Sequence, residues 1–294
     1  MNPRRRFRLR LASRTLVLGE RTLVMGVLNV TPDSFSDAGL YLDLQEAVAH
    51  ALAMERAGAD IIDIGAESTR PGSSPVTPAD QIAHLLPVLN ELRGNLRVPI
   101  SVDTRSAEVA EAAANAGAQI LNDVSALRTD SDLARVVARH GMAVILMHMR
   151  GTPATMQRGP FARDAMRNVV TDLRRAVRQA RAAGVAKDRI VLDPGFGFGK
   201  RHAQNFELLA RLPELARLGF AVLVGPSRKS SIGWAQAGKT KSHKKGLPPV
   251  NERLWGTAAA VTAAILGGAH IVRVHDVAEM VQVARVADAV LDSV

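Results

Sequence analysis

The chain of 294 residues contains no cysteine, which excludes disulfides and thiolate metal centres and leaves oxygen and imidazole as the donors for any ion. That composition suits a reducing compartment, and the cytoplasm is the expected location. Aromatic residues make up only 3%, too few for the ring platforms on which nucleic-acid bases stack. No apolar run approaches the roughly 18 residues of a membrane span, and the basic start leads into no apolar leader, so neither a span nor a secretory signal is expected. Dispersed net positive charge is scarce as well. The formal net charge is +10, yet Arg4, Arg5, Arg6, Arg8 and Arg10 supply five and Lys239, Lys241, Lys244 and Lys245 four, with no acid between Gln236 and Val250. Two short basic stretches do not trace a phosphate-tracking groove, so no nucleic-acid partner is expected.

What is present is ample apolar material, 47% of the chain, enough for one large core over residues 1–294. Residues 1–21 read as a basic tail and hairpin. Phe7, Leu9 and Leu11 alternate with Arg8 and Arg10, and the run 15–18 meets Gly19-Glu20, a two-residue turn signal leading into 21–25. Residues 235–250 read as a basic, solvated loop insertion. Between them, eight β-rich apolar runs alternate with Ala-rich amphipathic stretches: 23–30, 60–65, 98–104, 119–124, 143–149, 190–194, 221–225 and 270–275. Near-continuous apolar strands separated by helices imply a parallel sheet covered on both faces. Eight of them in one chain of this length favour a closed (β/α)8 TIM barrel with an amino-terminal β-hairpin over an open doubly wound sheet.

A weak repeat supports the barrel. Ala-Gly-Ala at 57–59 and 116–118 and Gly-Gly-Ala at 267–269 each precede a strand, and five residues after the left-handed-capable glycine stand Asp63, Asn122 and Arg273. These three should share a height near the carboxyl-terminal mouth. Further polar residues end other runs: Asn29, Asp103, Asp193 and His275. A buried strand carries an unpaired carboxylate or guanidinium only at high cost, so these groups need each other or a ligand, and together they point to one shared site.

Two loops extend the set. In 224–232 a hydroxyl cap candidate, Ser227, precedes Arg228, Lys229 and Ser230, a pattern suited to an anion at a helix start. The stretch 193–200 has three glycines in a spacing that does not fit a dinucleotide fingerprint; it reads as a flexible loop presenting Phe198 and Lys200. His148 is expected to be structural, with Met149 beside it offering a polarizable face to a flat ring. At 24–37 a strand-like run stops at Pro32 in a loop rich in hydroxyls and carboxylates.

The motifs Asn29-Val-Thr-Pro-Asp-Ser-Phe-Ser-Asp37, Glu67-Ser-Thr-Arg-Pro-Gly72, Val102-Asp-Thr104, Asn122-Asp-Val124, Met147-His-Met149, Asp193-Pro-Gly195, Ser227-Arg-Lys-Ser230 and Arg273-Val-His-Asp276 appear in order across nearly the whole chain. In this the sequence resembles the bacterial dihydropteroate synthases, a family of pterin-binding barrels. The resemblance implies condensation of 6-hydroxymethyl-7,8-dihydropterin diphosphate with 4-aminobenzoate, by SN1-like loss of diphosphate. It implies Asp103, Asn122, Asp193, Lys229 and Met149 around the pterin, and Arg273, His275 and a Mg²⁺ on Asn29 at the diphosphate. Thr69, Arg70, Phe198 and Ser230 would serve the aminobenzoate, with Asp103, Lys229, Arg273 and His275 carrying the catalysis. Loops 31–37 and 67–72 would close over the second substrate, and a homodimer is expected. Two departures are Ala38 and Ala66, where the family commonly has glycine. The alternatives are a non-catalytic pterin-binding paralogue and, from charge alone, a nucleic-acid binder.

Overall fold

A computed structural model describes residues 4–30, 40–68, 75–159, 161–238 and 246–293. The chain begins with strands β1 (Phe7–Arg10) and β2 (Thr15–Leu18), then β3 (Leu23–Asn29), α1 (Leu40–Arg56), β4 (Ile61–Gly65), α2 (Pro78–Leu92), β5 (Ile100–Asp103), α3 (Ala107–Asn115) and β6 (Ile120–Asp123). It continues with α4 (Leu133–His140), β7 (Ala143–Met147), α5 (Ala165–Ala182), β8 (Ile190–Asp193), α6 (His202–Ala210), α7 (Leu212–Ala216), β9 (Ala221–Val224), α8 (Ser230–Gln236), α9 (Leu254–Leu266), β10 (Ile271–Val274) and α10 (Val277–Asp292). Strands β3 to β10 close into a parallel barrel in chain order, β10 pairing with both β9 and β3. All eight expected runs are strands, each trimmed to the residues that pair.

Parity along each strand sorts the core, because successive side chains face opposite ways. Val24, Leu28, Ile62, Ile64, Val102, Leu121, Val144, Leu146, Leu192, Val222, Val272 and Val274 face the helices and form one apolar shell with them. Met25, Ile61, Ile120, Ile145, Val191, Leu223 and Ile271 fill the barrel interior, joined there by Leu9, Leu11 and Leu18 of the hairpin. The hairpin therefore plugs the amino-terminal mouth of the barrel.

The turn of that hairpin is not where the dipeptide signal put it. β1 pairs antiparallel with β2, Phe7 opposite Leu18 and Arg10 opposite Thr15, and Leu11 N–H to Arg14 C=O at 2.8 Å closes the connection. Gly19, at φ 98°, instead lets the chain leave β2 close under Arg5, whose carbonyl would lie 2.6 Å from a Cβ there. Burial decides this: pairing β1 with β2 puts Leu9 and Leu18 against the barrel floor, whereas residues 23–25 are already committed to β3. Nor is the whole amino-terminal arginine stretch solvated. Arg4 donates to Thr22 Oγ1 (2.8 Å), to the Ala269 carbonyl (2.8 Å) and to Asp288 (2.9 Å), tying the first residues to the last helix.

The three repeat glycines, Gly58, Gly117 and Gly268, all have left-handed backbones, with φ of 101°, 107° and 99°. They set the strand starts in equivalent places, which carries Asp63, Asn122 and Arg273 to a common level.

Candidate active site

One rung above the apolar floor, the inward positions turn polar. Ile61 is followed two residues later by Asp63, Ile120 by Asn122, Val191 by Asp193 and Ile271 by Arg273, a step of roughly 6.6 Å along each strand, and Asp103 stands in the same way above the buried hydroxyl of Ser101. The guanidinium of Arg273 lies between two carboxylates, its Nε 2.6 Å from Asp63 Oδ2 and its NH2 2.9 Å from Asp103 Oδ2. Asn122 Nδ2 donates to the same Asp63 oxygen at 3.0 Å. Across the mouth, Asp193 Oδ1 accepts the Gly195 N–H at 2.7 Å.

Burial dominates the electrostatics here. Loss of solvent pushes the Asp103 carboxyl up to about 7, although Arg273 opposes the change. The same cause pushes Asp193 up to about 6 against the pull of the Gly195 N–H and nearby lysines. Burial lowers the Arg273 guanidinium, and the charges of Asp63 and Asp103 more than reverse that, so it stays above its ordinary value. His275 is pushed down to about 3 by burial and by the adjacent Arg273, so the imidazole is neutral at ordinary pH. Its Nδ1 lies 3.0 Å from Ser227 Oγ, which also accepts the His275 backbone N–H at 3.2 Å.

The loop after β8 differs from the flexible presentation expected of its glycines. Lys200 does not project; its ammonium is buried and donates to the carbonyls of Gly195 (2.8 Å), Phe198 (2.8 Å) and His148 (3.2 Å). Three acceptors use all three of its N–H donors, so the loop is wrapped around the lysine. Gly195 is there because a Cβ would stand 2.0 Å from the His148 carbonyl oxygen. Phe198 is buried with Val124, Met147, Met149 and Met156 in an apolar cluster at the mouth. Lys229 Nζ lies 4.0 Å over its ring.

After β9 the expected cap is also reassigned. Lys229, not Ser227, is the residue preceding α8 and provides no side-chain cap; Ser227 is engaged by His275 instead. Between them Arg228 adopts φ 59°, an unusual backbone for a side-chain-bearing residue that surrounding bonds hold in place. Its N–H reaches Thr257 Oγ1 (3.1 Å), its carbonyl accepts from Arg253 (2.9 Å), and its guanidinium pairs with Asp276. That fixed kink sends Lys229 toward Phe198 and leaves Ser230 exposed at the first position of α8.

Of the remaining expected residues, Asn29 is exposed at the carboxyl end of β3, in register with Gly65. Thr69 and Arg70, the loop 31–37, residues 69–72 of the second loop and the lysines 239–245 lie outside the described residues. Glu67, at the near end of the second loop, is held by Arg105 at 2.6 Å. His148 turns away from the mouth toward α5, 3.3 Å from Asp172, in keeping with a structural histidine. Among the described residues no group of three His, Asp or Glu side chains is placed to hold a metal. The carboxamide oxygen of Asn29 fits a magnesium ion that arrives on substrate phosphates, as that ion commonly does.

Several supporting residues escaped sequence reasoning. Asp123 turns its buried carboxylate back on the loop after β6, accepting from Ser125 N (2.7 Å), Ser125 Oγ (2.7 Å) and Leu127 N (2.6 Å). Asp followed two residues later by Ser is a readable turn signal. The Arg228–Asp276 and Arg105–Glu67 pairs have no such local signature.

The parallel barrel is shared with known proteins. The model of the pterin binding enzymes matches residues 25–275, from within β3 to the histidine after β10, and the chain belongs to that family. Its relatives include bacterial dihydropteroate synthases. It is 47% identical over 271 residues to the dihydropteroate synthase of Synechocystis sp., covering 92% of this chain and 91% of that one. Among solved structures, the Xanthomonas albilineans dihydropteroate synthase with 4-aminobenzoic acid superposes with a TM-score of 0.86 at 42% identity, covering 97% of this chain and 98% of that one. The same enzyme in complex with 7,8-dihydropteroate gives 0.81 at 38% identity, with 98% of each chain covered.

Proposed function

We propose that this chain condenses 6-hydroxymethyl-7,8-dihydropterin diphosphate with 4-aminobenzoate, the dihydropteroate synthase reaction of folate biosynthesis. The observation that carries the reading is the polar ring itself: a hydrogen-bonding side of Asp103, Asn122 and Asp193 faces a cationic side of Lys229 and Arg273 inside one apolar-floored mouth. The overall change breaks the C–O bond to diphosphate, forms a C–N bond to the aniline nitrogen, and releases one proton from that nitrogen.

A pterin presents amino and ring N–H donors on one edge and a carbonyl on the other. Asp193 and the Asn122 carbonyl oxygen accept from the donors, Asp103 accepts from the far side, and Lys229 donates to the carbonyl. Met149, Met147 and Val124 supply the apolar floor. A wrong ring leaves these buried groups unpaired, which is the source of selectivity. As diphosphate departs, Arg273 meets its growing negative charge and the Asp103 carboxylate faces the methylene cation. His275 enters the reaction neutral, so it contributes a hydrogen-bonding group and not a standing charge. Asn29 would hold a magnesium ion, which would supply positive charge to the phosphate oxygens. Phe198, Ser230, Thr69 and Arg70 are assigned to the aminobenzoate, Phe198 by its ring beside Lys229 and Ser230 by its exposure at the start of α8.

Two further assignments belong to this reading. A homodimer is supported by an apolar face on α9 and α10, where Trp255 is 79% and Val286 68% exposed. A cytoplasmic site of action belongs to the same reading; among the described residues no helix is long and apolar enough to cross a membrane. Diphosphate release by the purified protein, measured with and without 4-aminobenzoate, tests the reaction. Release that requires the aminobenzoate supports it, and pterin binding without release points to the non-catalytic paralogue.

A further inference from the structure

Asp63 is the most enclosed charge in the barrel mouth, with no exposed surface, and the reaction above gives it no part. Its Oδ2 accepts from two groups that are given parts: Asn122 Nδ2 at 3.0 Å and Arg273 Nε at 2.6 Å. Its Oδ1 has no hydrogen-bond partner among the described residues. A carboxylate that leaves one buried oxygen unpaired so as to aim both neighbours through the other is doing something packing does not require.

Each bond has a directional consequence. The carboxamide of Asn122 has one donor end and one acceptor end. Anchoring Nδ2 on Asp63 turns Oδ1 to the opposite side, as the acceptor that a pterin amino edge needs. The guanidinium of Arg273 is planar, so fixing Nε on Asp63 and NH2 on Asp103 fixes the plane and the direction in which its remaining N–H groups point. One oxygen atom thus sets the orientation of a pterin-binding group and of a diphosphate-binding group together. The strands make this possible: Asp63 on β4, Asn122 on β6 and Arg273 on β10 reach a common level because equivalent left-handed glycines precede their strands.

We propose that Asp63 is a positioning residue for both halves of the pterin diphosphate, presenting the Asn122 carbonyl oxygen to the ring and the Arg273 guanidinium to the leaving group. The proposal rests on the synthase reading for its substrate, but its binding arm does not depend on turnover. Asp63 also acts on Asp103 through charge. The groups facing Asp103 are Arg273 from β10, Asp63 from β4, Lys229 ahead of α8 and Asp123 from β6, and among them Asp63 is one of the two that hold the carboxyl up.

Two variants separate position from charge. Asp63→Asn keeps an oxygen for both donors and places its NH2 where Oδ1 stands, so it retains the aim and loses the charge. Asp63→Ala loses both. Pterin affinity is read by calorimetry with a non-reactive dihydropterin, and kcat and kcat/KM by diphosphate release across pH 5 to about 8.5. Asp63→Ala is expected to weaken pterin binding and to lower kcat, each by about 10- to 100-fold, the usual effect of removing an orienting partner. Asp63→Asn is expected to keep pterin affinity within about threefold and to move the acid limb of kcat/KM to lower pH. Pterin affinity and kcat in Asp63→Ala within twofold of the parent would overturn the proposal. So would equal loss of pterin affinity in Asp63→Asn and Asp63→Ala. If Asp63→Ala does not fold, Asp63→Ser takes its place, a side chain too short to reach both Asn122 and Arg273; loss of pterin affinity in it supports the proposal and parent-level affinity refutes it. Absence of aminobenzoate-dependent release from the parent protein would refute the synthase reading instead, and the calorimetric comparison would then decide the Asn122 part alone.

Discussion

Replacing Gly195 by alanine perturbs the candidate site at its most constrained backbone position. The added Cβ would stand 2.0 Å from the His148 carbonyl oxygen, in a residue at φ 67°. The left-handed backbone alone costs roughly 1–2 kcal/mol once a Cβ is present. The overlap adds to it, because backbone faces backbone and the two segments must part by about 1 Å. That separation breaks the Gly195 N–H bond to Asp193 and loosens the grip of Lys200 on the carbonyls of Gly195 and His148. One lost bond to a carboxylate is worth roughly 1.5–3 kcal/mol, so the total is about 3–5 kcal/mol. With an unfolding entropy near 2.1 cal/mol/K per residue, that lowers Tm by roughly 5–8 °C. Gly94→Ala is the internal control. Gly94 has φ 85° and nothing within 4 Å of the added atom, so only the backbone cost applies and the shift is about 2–3 °C. The assay is thermal unfolding together with KM for the pterin substrate, which rises in Gly195→Ala as Asp193 loses its anchor and stays unchanged in Gly94→Ala. A Gly195→Ala shift no larger than that of Gly94→Ala, with unchanged KM, refutes the reasoning.

Lys229→Ala, losing a charge-assisted bond worth roughly 1.5–3 kcal/mol, lowers turnover about tenfold or more with the unfolding midpoint unchanged; turnover at the parent level removes the assigned role. In the proposed reaction pterin binding needs Asp103 and Asp193 ionised, and burial raises them to about 7 and about 6. Hence kcat/KM falls as pH drops through 7 toward 6, when those carboxylates protonate. His275, already neutral down to about 3, adds nothing to that limb, so the limb persists in His275→Gln and changes in Asp193→Asn; the opposite pattern would assign it to the imidazole. Asn29→Ala raises the magnesium concentration needed for half-maximal turnover while leaving pterin affinity intact, and an unchanged magnesium response argues against that ligand. Val286→Glu places a charge on the apolar face of α9 and α10 and shifts a dimer toward monomer in light scattering, whereas an unaltered mass moves the interface elsewhere.

The arrangement of the described residues explains why so few side chains do so much. Asp103, Asn122, Asp193 and Arg273 stand on four different strands of a closed barrel, so their relative positions follow from strand register and not from loop packing. The loops after β6, β8 and β9 are each fixed by a polar group of their own: the buried Asp123 and Lys200 and the half-buried Arg228. Such internal fastening keeps a site within the small tolerance that directional recognition needs.

The sequence by itself determined the barrel, because eight apolar runs between amphipathic helices admit few other architectures. It also determined the inventory of the mouth, because a polar residue at the end of a buried strand has to be explained. Order and spacing along the chain were enough for both. What the tertiary structure alone decided is pairing. The hairpin turn lies at residues 11–14 and not at Gly19-Glu20, since the choice depended on which leucines the barrel floor would bury. Lys200 became an internal fastener, Ser227 a partner for His275, and Asp63 the shared anchor of Asn122 and Arg273. These contacts join residues from 5 to 210 positions apart. A local pattern carries information about backbone conformation and burial; the choice among distant partners is made only when the barrel closes and puts them within 3 Å of one another.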